Sequence, residues 1–142
     1  MLKFHLQTEI RKPVAEVVRL FKNRELMPRW QPGLLTDETA EDKKGKPIQR
    51  LTYRIGNRNM VMTETLLKSN SREHEVEYVM RGVKNSVYNS FTPKSDETTL
   101  WTSDITFRFM GIMKIIAPFM RSGFEKQSEI IMKNFKNFAE RQ

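Results

Sequence analysis

Residues 98–142, TTLWTSDITFRFMGIMKIIAPFMRSGFEKQSEIIMKNFKNFAERQ, decide the fold. Trp101, Ser103, Ile105, Phe107 and Phe109 alternate with Thr102, Asp104 and Thr106, the period of a strand that buries one face. Gly111 closes that strand. From Ile112 onward the period lengthens: Ile116, Met120, Gln127, Ile131, Phe135 and Phe138 recur along one broad helical face, while Lys126, Lys133, Lys136 and Glu140 fall elsewhere. The spacing predicts one long amphipathic helix from Ile112 onward. A one-sided strand followed by a one-sided helix buries both apolar faces when the helix lies across the sheet.

Upstream, turn signals at Gly56-Asn57, Asn70-Ser71, Gly82 to Ser86 and Pro93 to Glu97 divide the chain into strands at about 47–55, 59–68, 74–82, 86–92 and 98–109. Each connection is short enough for an antiparallel meander. A sixth strand is KFHLQTEI, residues 3–10, with Phe4, Leu6, Thr8 and Ile10 on one side. Pro13 suits a first helical turn, and Val14, Val17, Val18 and Phe21 continue at helical spacing to about Asn23. RELMPRWQPGLL, residues 24–35, reads as a short helix or turn that wedges Trp30 inward, and a polar, Lys-rich loop is expected to run from there through Gly45. The expected architecture is α+β, in one domain spanning residues 1–142. A curved six-stranded antiparallel sheet surrounds a long C-terminal helix, with two short helical segments after the first strand. A helix lying on a twisted sheet cannot contact every strand, which leaves room for an internal cavity.

Composition narrows the chemistry. With no Cys and only His5 and His74, the chain lacks the means for a disulfide scaffold, thiolate catalysis or a histidine-built metal centre. No Gly-rich phosphate loop and no Ser-His-Asp set is present, so no metal and no cofactor are expected. The N-terminal MLKFHLQTEIRK lacks an apolar core, and the longest apolar stretch, Ile112 to Met120, is broken by Lys114 and Pro118. Neither a signal peptide nor a membrane span is expected, and the expected location is cytoplasmic. Twenty-five Lys and Arg against seventeen Asp and Glu give a net charge of +8, which keeps polyanionic partners in view. Lys43, Lys44, Lys46, Arg50, Arg54 and Arg58 form the one dense run of basic residues with no acidic residue among them. It reads as a solvated loop and strand face, since only Tyr53 is there to stack on a base, and Tyr53 falls on the other strand face from Arg50 and Arg54.

Three local patterns carry a resemblance: EIRKPVAEVVRLF at residues 9–21, RWQPGL at Arg29 to Leu34, and the Thr99 to Phe109 strand leading to a helix that ends KNFKNFAERQ. Together with the element order they resemble the SRPBCC superfamily of START-like, helix-grip domains, particularly its polyketide cyclase/dehydrase-like branch. The resemblance covers the whole chain and implies a helix-grip fold. It does not fix an activity, because that superfamily is said to include lipid carriers, hormone receptors, aromatase/cyclases, chaperone cofactors and ribosome-directed toxins.

Alternation assigns a mainly apolar concave face. Its strand residues are Leu51, Tyr53 and Ile55; Met60, Met62, Glu64 and Leu66; Val76, Tyr78 and Met80; and Trp101, Ser103, Ile105, Phe107 and Phe109. Trp30 joins them from its wedge. The final helix adds Ile116, Phe119, Met120, Gly123, Gln127 and Ile131. Gly123 costs about 1 kcal/mol of helix propensity, which is explained by space being kept open or by a kink or tight contact. The Met residues fill core gaps or suit varied apolar ligands. Glu64 is the one candidate acid: in phase with Met60, Met62 and Leu66 it points inward, where an unpaired carboxylate titrates upward. The opposite phase, with Val61, Thr63, Thr65 and Leu67 inside, leaves Glu64 in water. Tyr53, Tyr78 and Trp101 offer donors to a ligand carbonyl or hydroxyl, while His5 and Asp104 read as outward-facing and His74 as an unconvincing base.

Three functions fit. The first is a protein that binds or carries a small, largely hydrophobic, lipid- or polyketide-like molecule. The second is a cyclase/aromatase-type enzyme in which Glu64 and a tyrosine move protons, which requires Glu64 beside Tyr53 or Tyr78. The third is a module that binds RNA, the ribosome or an acidic protein through Lys43 to Arg58, which requires one continuous basic patch.

Overall fold

Period-two alternation produces seven strands, in the order β1 (Leu2–Ile10), β2 (Leu34–Glu41), β3 (Pro47–Ile55), β4 (Arg58–Ser69), β5 (Glu73–Met80), β6 (Val83–Ser95) and β7 (Thr98–Phe109) along the chain. The computed structural model describes residues 1–142. All seven strands form one antiparallel sheet, ordered β1-β7-β6-β5-β4-β3-β2. Helix α1 (Val14–Lys22) and a tight turn of helix at Arg24–Arg29 connect β1 to β2, which lie at opposite edges. Register shifts at Leu34/Thr36, Leu66/Lys68 and Pro93/Ser95 bend the sheet as bulges do.

The sheet has seven strands rather than the six expected. The residues read as a loop, LLTDETAE, form the edge strand β2, in which only Leu34 is buried. Acidic and small polar residues carry little strand propensity, so β2 exists because β3 pairs with it from Leu34↔Tyr53 to Glu41↔Pro47. Its charges also protect an open edge. Strand β6 begins at Val83 rather than 86, because Met80 and Val83 pair across a two-residue turn. Gly82 sits there at φ +76°, and a Cβ on it would come 2.9 Å from Met113 Cγ.

The C-terminal helix is also broken. Helix α2 (Met113–Ile116) passes into a tight turn at Ala117–Met120 before α3 (Arg121–Glu140) begins. Pro118 removes a backbone N–H, and the tighter turn advances the side chains by more than an α-helix does. Phe119 therefore points away from the sheet.

Helix α3 lies across the inner face of the sheet. Its second half enters a core with Ile10, Val17, Met27, Leu51 and Phe91. There the Phe135 ring packs edge-on against Phe21, Trp30 and Trp101, with centroids 4.9 to 5.3 Å apart. A second, smaller core joins Leu2, Phe4, Val83, Ile105 and Phe107, with Phe124 of α3 over Phe107 and Phe109.

Candidate functional site

Between the two cores the helix stands off the sheet, leaving a cavity of about 760 Å³ lined by 28 residues, 18 of them hydrophobic. Of the candidate residues, Trp30, Tyr53, Met62, Tyr78 and Met80 line it. So do Trp101, Ser103, Ile105 and Phe107 of β7, and Met120, Gly123 and Gln127 of the helical arm. Ile55, Met60 and Ile131 complete the expected lining that is present, while Leu51 and Val76 are packed in the protein interior. A Cβ on Gly123 would meet nothing within 4 Å, so the glycine faces open space and is not a tight helix contact.

Other candidates stand elsewhere. Phe119 is 87% exposed, turned outward at the Pro118 turn; Ile116, before that turn, faces outward with Ile112 and Ile115; and Leu66, expected inside, is exposed where the register of β4 shifts. Glu64 points inward as its phase with Met62 requires, but it is buried behind the cavity wall and does not line the cavity. It is also paired. Arg24 Nη1 donates to Glu64 Oε1 at 2.7 Å, and Arg24 Nε and Nη2 donate to Asp37 Oδ2 and Oδ1 at 2.7 and 3.1 Å. Glu64 is therefore not the lone buried carboxylate that the sequence allowed. Burial works against the charge on Arg24, but its two carboxylates outweigh this and raise its pKa. Gln49 Nε2 extends the cluster, donating to Asp37 Oδ1 at 2.8 Å. Arg24 and Asp37 were invisible in the sequence because they sit on the tight turn and on the strand read as a loop.

Strand pairing explains how polar groups reach the cavity. Gln49, Glu64, Tyr78 and Asn85 are successive partners across β3, β4, β5 and β6, a polar row on an otherwise apolar face. The Tyr78 hydroxyl titrates well above its ordinary range, first through burial and then through the Glu64 charge. The Tyr53 hydroxyl is raised by the same two causes, partly opposed by Arg24. Both phenols are thus held neutral and act as hydrogen-bond donors, and Tyr53 Oη donates to Gln31 Oε1 at 2.6 Å. The Trp101 indole is not free for a ligand, because Nε1 donates to Asn89 Oδ1 at 3.0 Å.

Asn85 and Asn89 on β6 line the cavity and escaped the sequence reading. The alternation Val83, Asn85, Val87, Asn89, Phe91 marks them, once the strand is started at Val83. Asn85 Oδ1 and Trp30 Nε1 are buried without partners, one acceptor and one donor at the lining of the cavity. His74 is half-buried, its Nδ1 has no partner, and burial together with Lys22 and Arg24 lowers its pKa to about 4. No three His, Asp or Glu residues gather as metal ligands do.

The basic stretch does not form one patch. Lys43, Lys44 and Lys46 lie at the β2–β3 turn, whose backbone is held by Asp42, whereas Arg54 lies at the far end of β3 and Arg58 at the start of β4. Eight residues of strand separate Lys46 from Arg54, or about 26 Å at about 3.3 Å per residue. Acidic Glu38 of β2 pairs directly with Arg50 between them. On the outer sheet face His5 Nδ1 lies 2.6 Å from Asp104 Oδ1, both side chains exposed.

The profile of the family described as polyketide cyclase/dehydrase and lipid transport matches residues 1–140. No curated protein matches the sequence. Among solved structures, a START superfamily protein from Mycobacterium smegmatis aligns over 98% of this chain and 97% of its own, with 16% identity and a TM-score of 0.77. The Zhui aromatase/cyclase from Streptomyces sp. R1128 aligns over 99% and 94%, at 15% identity and a TM-score of 0.76. A conserved protein from Geobacillus kaustophilus aligns over 97% and 95%, at 16% identity and a TM-score of 0.78. At such identities these likenesses establish the helix-grip fold alone. The match over residues 1–140 places the chain in the family described as polyketide cyclase/dehydrase and lipid transport.

Proposed function

We propose that residues 1–142 act as one unit that binds and carries a small, largely hydrophobic molecule in the cavity between α3 and the sheet. The observation that carries this reading is a cavity of about 760 Å³ whose lining is mostly hydrophobic, 18 residues of 28. That volume suits a drug-sized or lipid-like ligand. Asn85 Oδ1 is positioned to accept from a ligand hydroxyl, and Trp30 Nε1 to donate to a ligand carbonyl. A ligand that supplies these partners removes the cost of leaving buried polar atoms unpaired.

The acid–base inventory supports carriage over catalysis. Glu64 is engaged by Arg24, and both tyrosines are held neutral, so the cavity offers hydrogen bonds rather than a free base. A cyclase-type activity is the second reading, and its motive is specific: Glu64 is the cross-strand partner of Tyr78. In that reading the neutral Tyr78 phenol turns from Glu64 to polarise a bound carbonyl.

Native mass spectrometry of the protein as isolated, together with titration of a fluorescent fatty-acid analogue, tests carriage. A retained apolar ligand, or saturable one-to-one probe binding displaced by it, is the expected result. No bound species and no saturable probe binding refutes carriage. Turnover of a polyketide-like substrate that Tyr78→Phe abolishes while probe binding persists establishes the enzyme reading instead.

A further inference from the structure

Residues 112–119 present their apolar side to water. Ile112, Ile115, Ile116 and Phe119 recur at helical spacing and are 70%, 72%, 39% and 87% exposed. The inward side of the same segment is already filled, by Ala117 at 1% exposure and by Met113 against the smaller core. A surface helix of a soluble domain turns its polar face outward, and this one is reversed. Lys114 is the single charge within the stripe.

The surroundings carry one sign. From Ile105 to Phe124 there is no Asp or Glu, while Arg108, Lys114 and Arg121 are exposed. The β5–β6 turn packs beneath, with Met110 N–H donating to Gly82 O at 2.9 Å, and it adds exposed Arg81 and Lys84, the latter the direct partner of Arg108. None of these five cations is in ion-pair range of a carboxylate; every ion pair of the structure lies elsewhere. Arg121 instead stands over the Phe4 ring at 5.2 Å.

We propose that this end of the molecule docks on an anionic lipid bilayer, with Ile112, Ile115 and Phe119 inserted among the acyl chains and Arg81, Lys84, Arg108, Lys114 and Arg121 at the headgroups. The pairing of an apolar stripe with unpartnered cations is the chemistry that a negatively charged lipid surface recognises. A protein partner of acidic character would satisfy the cations and leave the isoleucines and Phe119 wet. No helix here is long and apolar enough to cross a membrane, so the contact is interfacial. The stripe ends at Met120, which is 44% exposed and also lines the cavity. Docking stands on the surface alone; the further step, that ligand passes between bilayer and cavity at Met120, rests on the carrier reading.

Co-sedimentation with vesicles of phosphatidylcholine containing about one third phosphatidylserine tests docking, beside vesicles of phosphatidylcholine alone. The protein is expected to partition at least about tenfold more strongly to the anionic vesicles, and about 0.5 M salt should release most of it. Ile115→Asp with Phe119→Asp should lower partitioning at least about tenfold, as should Lys114→Glu with Arg81→Glu, with melting temperatures unchanged because all four side chains are exposed. Binding of the fatty-acid analogue without vesicles should survive both pairs, which separates failure of docking from failure of the cavity reading. Equal partitioning to both lipids, or partitioning that neither pair reduces, overturns the proposal. So does a wild-type dimer that Ile115→Asp with Phe119→Asp makes monomeric while vesicles bind neither form, for then the stripe is covered by a second copy.

Discussion

The two parts of the C-terminal helical arm both carry large apolar side chains and put them to opposite ends. From Met132 to Ala139 four residues are buried, and Phe135 is fully enclosed. From Ile112 to Ile131 only Ala117 is buried, while Ile115, Phe119 and Met120 stand in water and Gly123 faces the cavity. The difference is not amphipathicity, since both halves have an apolar face. It is what lies beneath: α1 and the tight turn after it deliver Phe21 and Trp30 to the second half, stacked with centroids 5.5 Å apart, and nothing equivalent reaches the first. One end of the helix seals a core, the other roofs a cavity.

If that contrast is right, truncating the sealed half should cost far more than truncating the open one. Phe135→Ala is expected to destabilise by about 4 kcal/mol, because the ring leaves a void among Phe21, Trp30 and Trp101, whereas Phe119→Ala should stay within about 0.5 kcal/mol. Chemical denaturation of the two variants measures this. Comparable losses would mean that Phe119 is packed in solution.

The cavity wall opposite the helix is held by charge. Arg24→Met strips the partner from buried Glu64 and from Asp37 and is expected to cost about 3 kcal/mol. Adding Glu64→Leu removes the stranded charge and should return at least about half of that loss. A double variant no more stable than the single would show that the cost comes from lost packing of Arg24 rather than from the bared carboxylate.

A group on β5 reports by its titration on the core that the sealed half enters. His74 packs edge-on against Phe21 at 5.4 Å, and its pKa is lowered from 6.5 to about 4. The unfolded chain therefore binds this proton more readily between those values. Stability from His74 is fully present above about pH 6.5 and falls as pH drops toward about 4, by about 2 kcal/mol after allowing for solvent screening. His74→Gln should flatten that part of the stability–pH profile. An unchanged slope would show that the histidine is solvated in the native state.

The smallest expected change in stability belongs to the open half. A Cβ at Gly123 meets no neighbour within 4 Å and Leu replaces a poor helix former, so Gly123→Leu should gain about 0.5 kcal/mol. Affinity for the fatty-acid analogue should nevertheless fall at least about tenfold, as the new side chain enters the cavity. Unaltered affinity with a lowered melting temperature would make Gly123 a packing residue and remove the contrast between the halves.

The alternation of Trp101 to Phe109 assigned these side chains to the inner face from sequence, because a period of two leaves only two choices and apolar neighbours pick one, whereas around Glu64 both phases carry apolar residues and the sequence left the choice open. The helical spacing from Gln127 to Phe138 was as legible. What alternation could not show is anything that depends on a partner far along the chain. The strand LLTDETAE has no propensity to be one and is paired into place by β3. Arg24 meets Glu64 only because the tight turn is folded back over β4, and this turns a candidate acid into half of an ion pair. Phe119 has the spacing of a core residue, yet the turn at Pro118 rotates it outward. Local periodicity fixes which face a side chain takes relative to its neighbours in sequence. Whether that face meets a core, a cavity or solvent is set by which distant element packs on it, and that is decided by the tertiary structure alone.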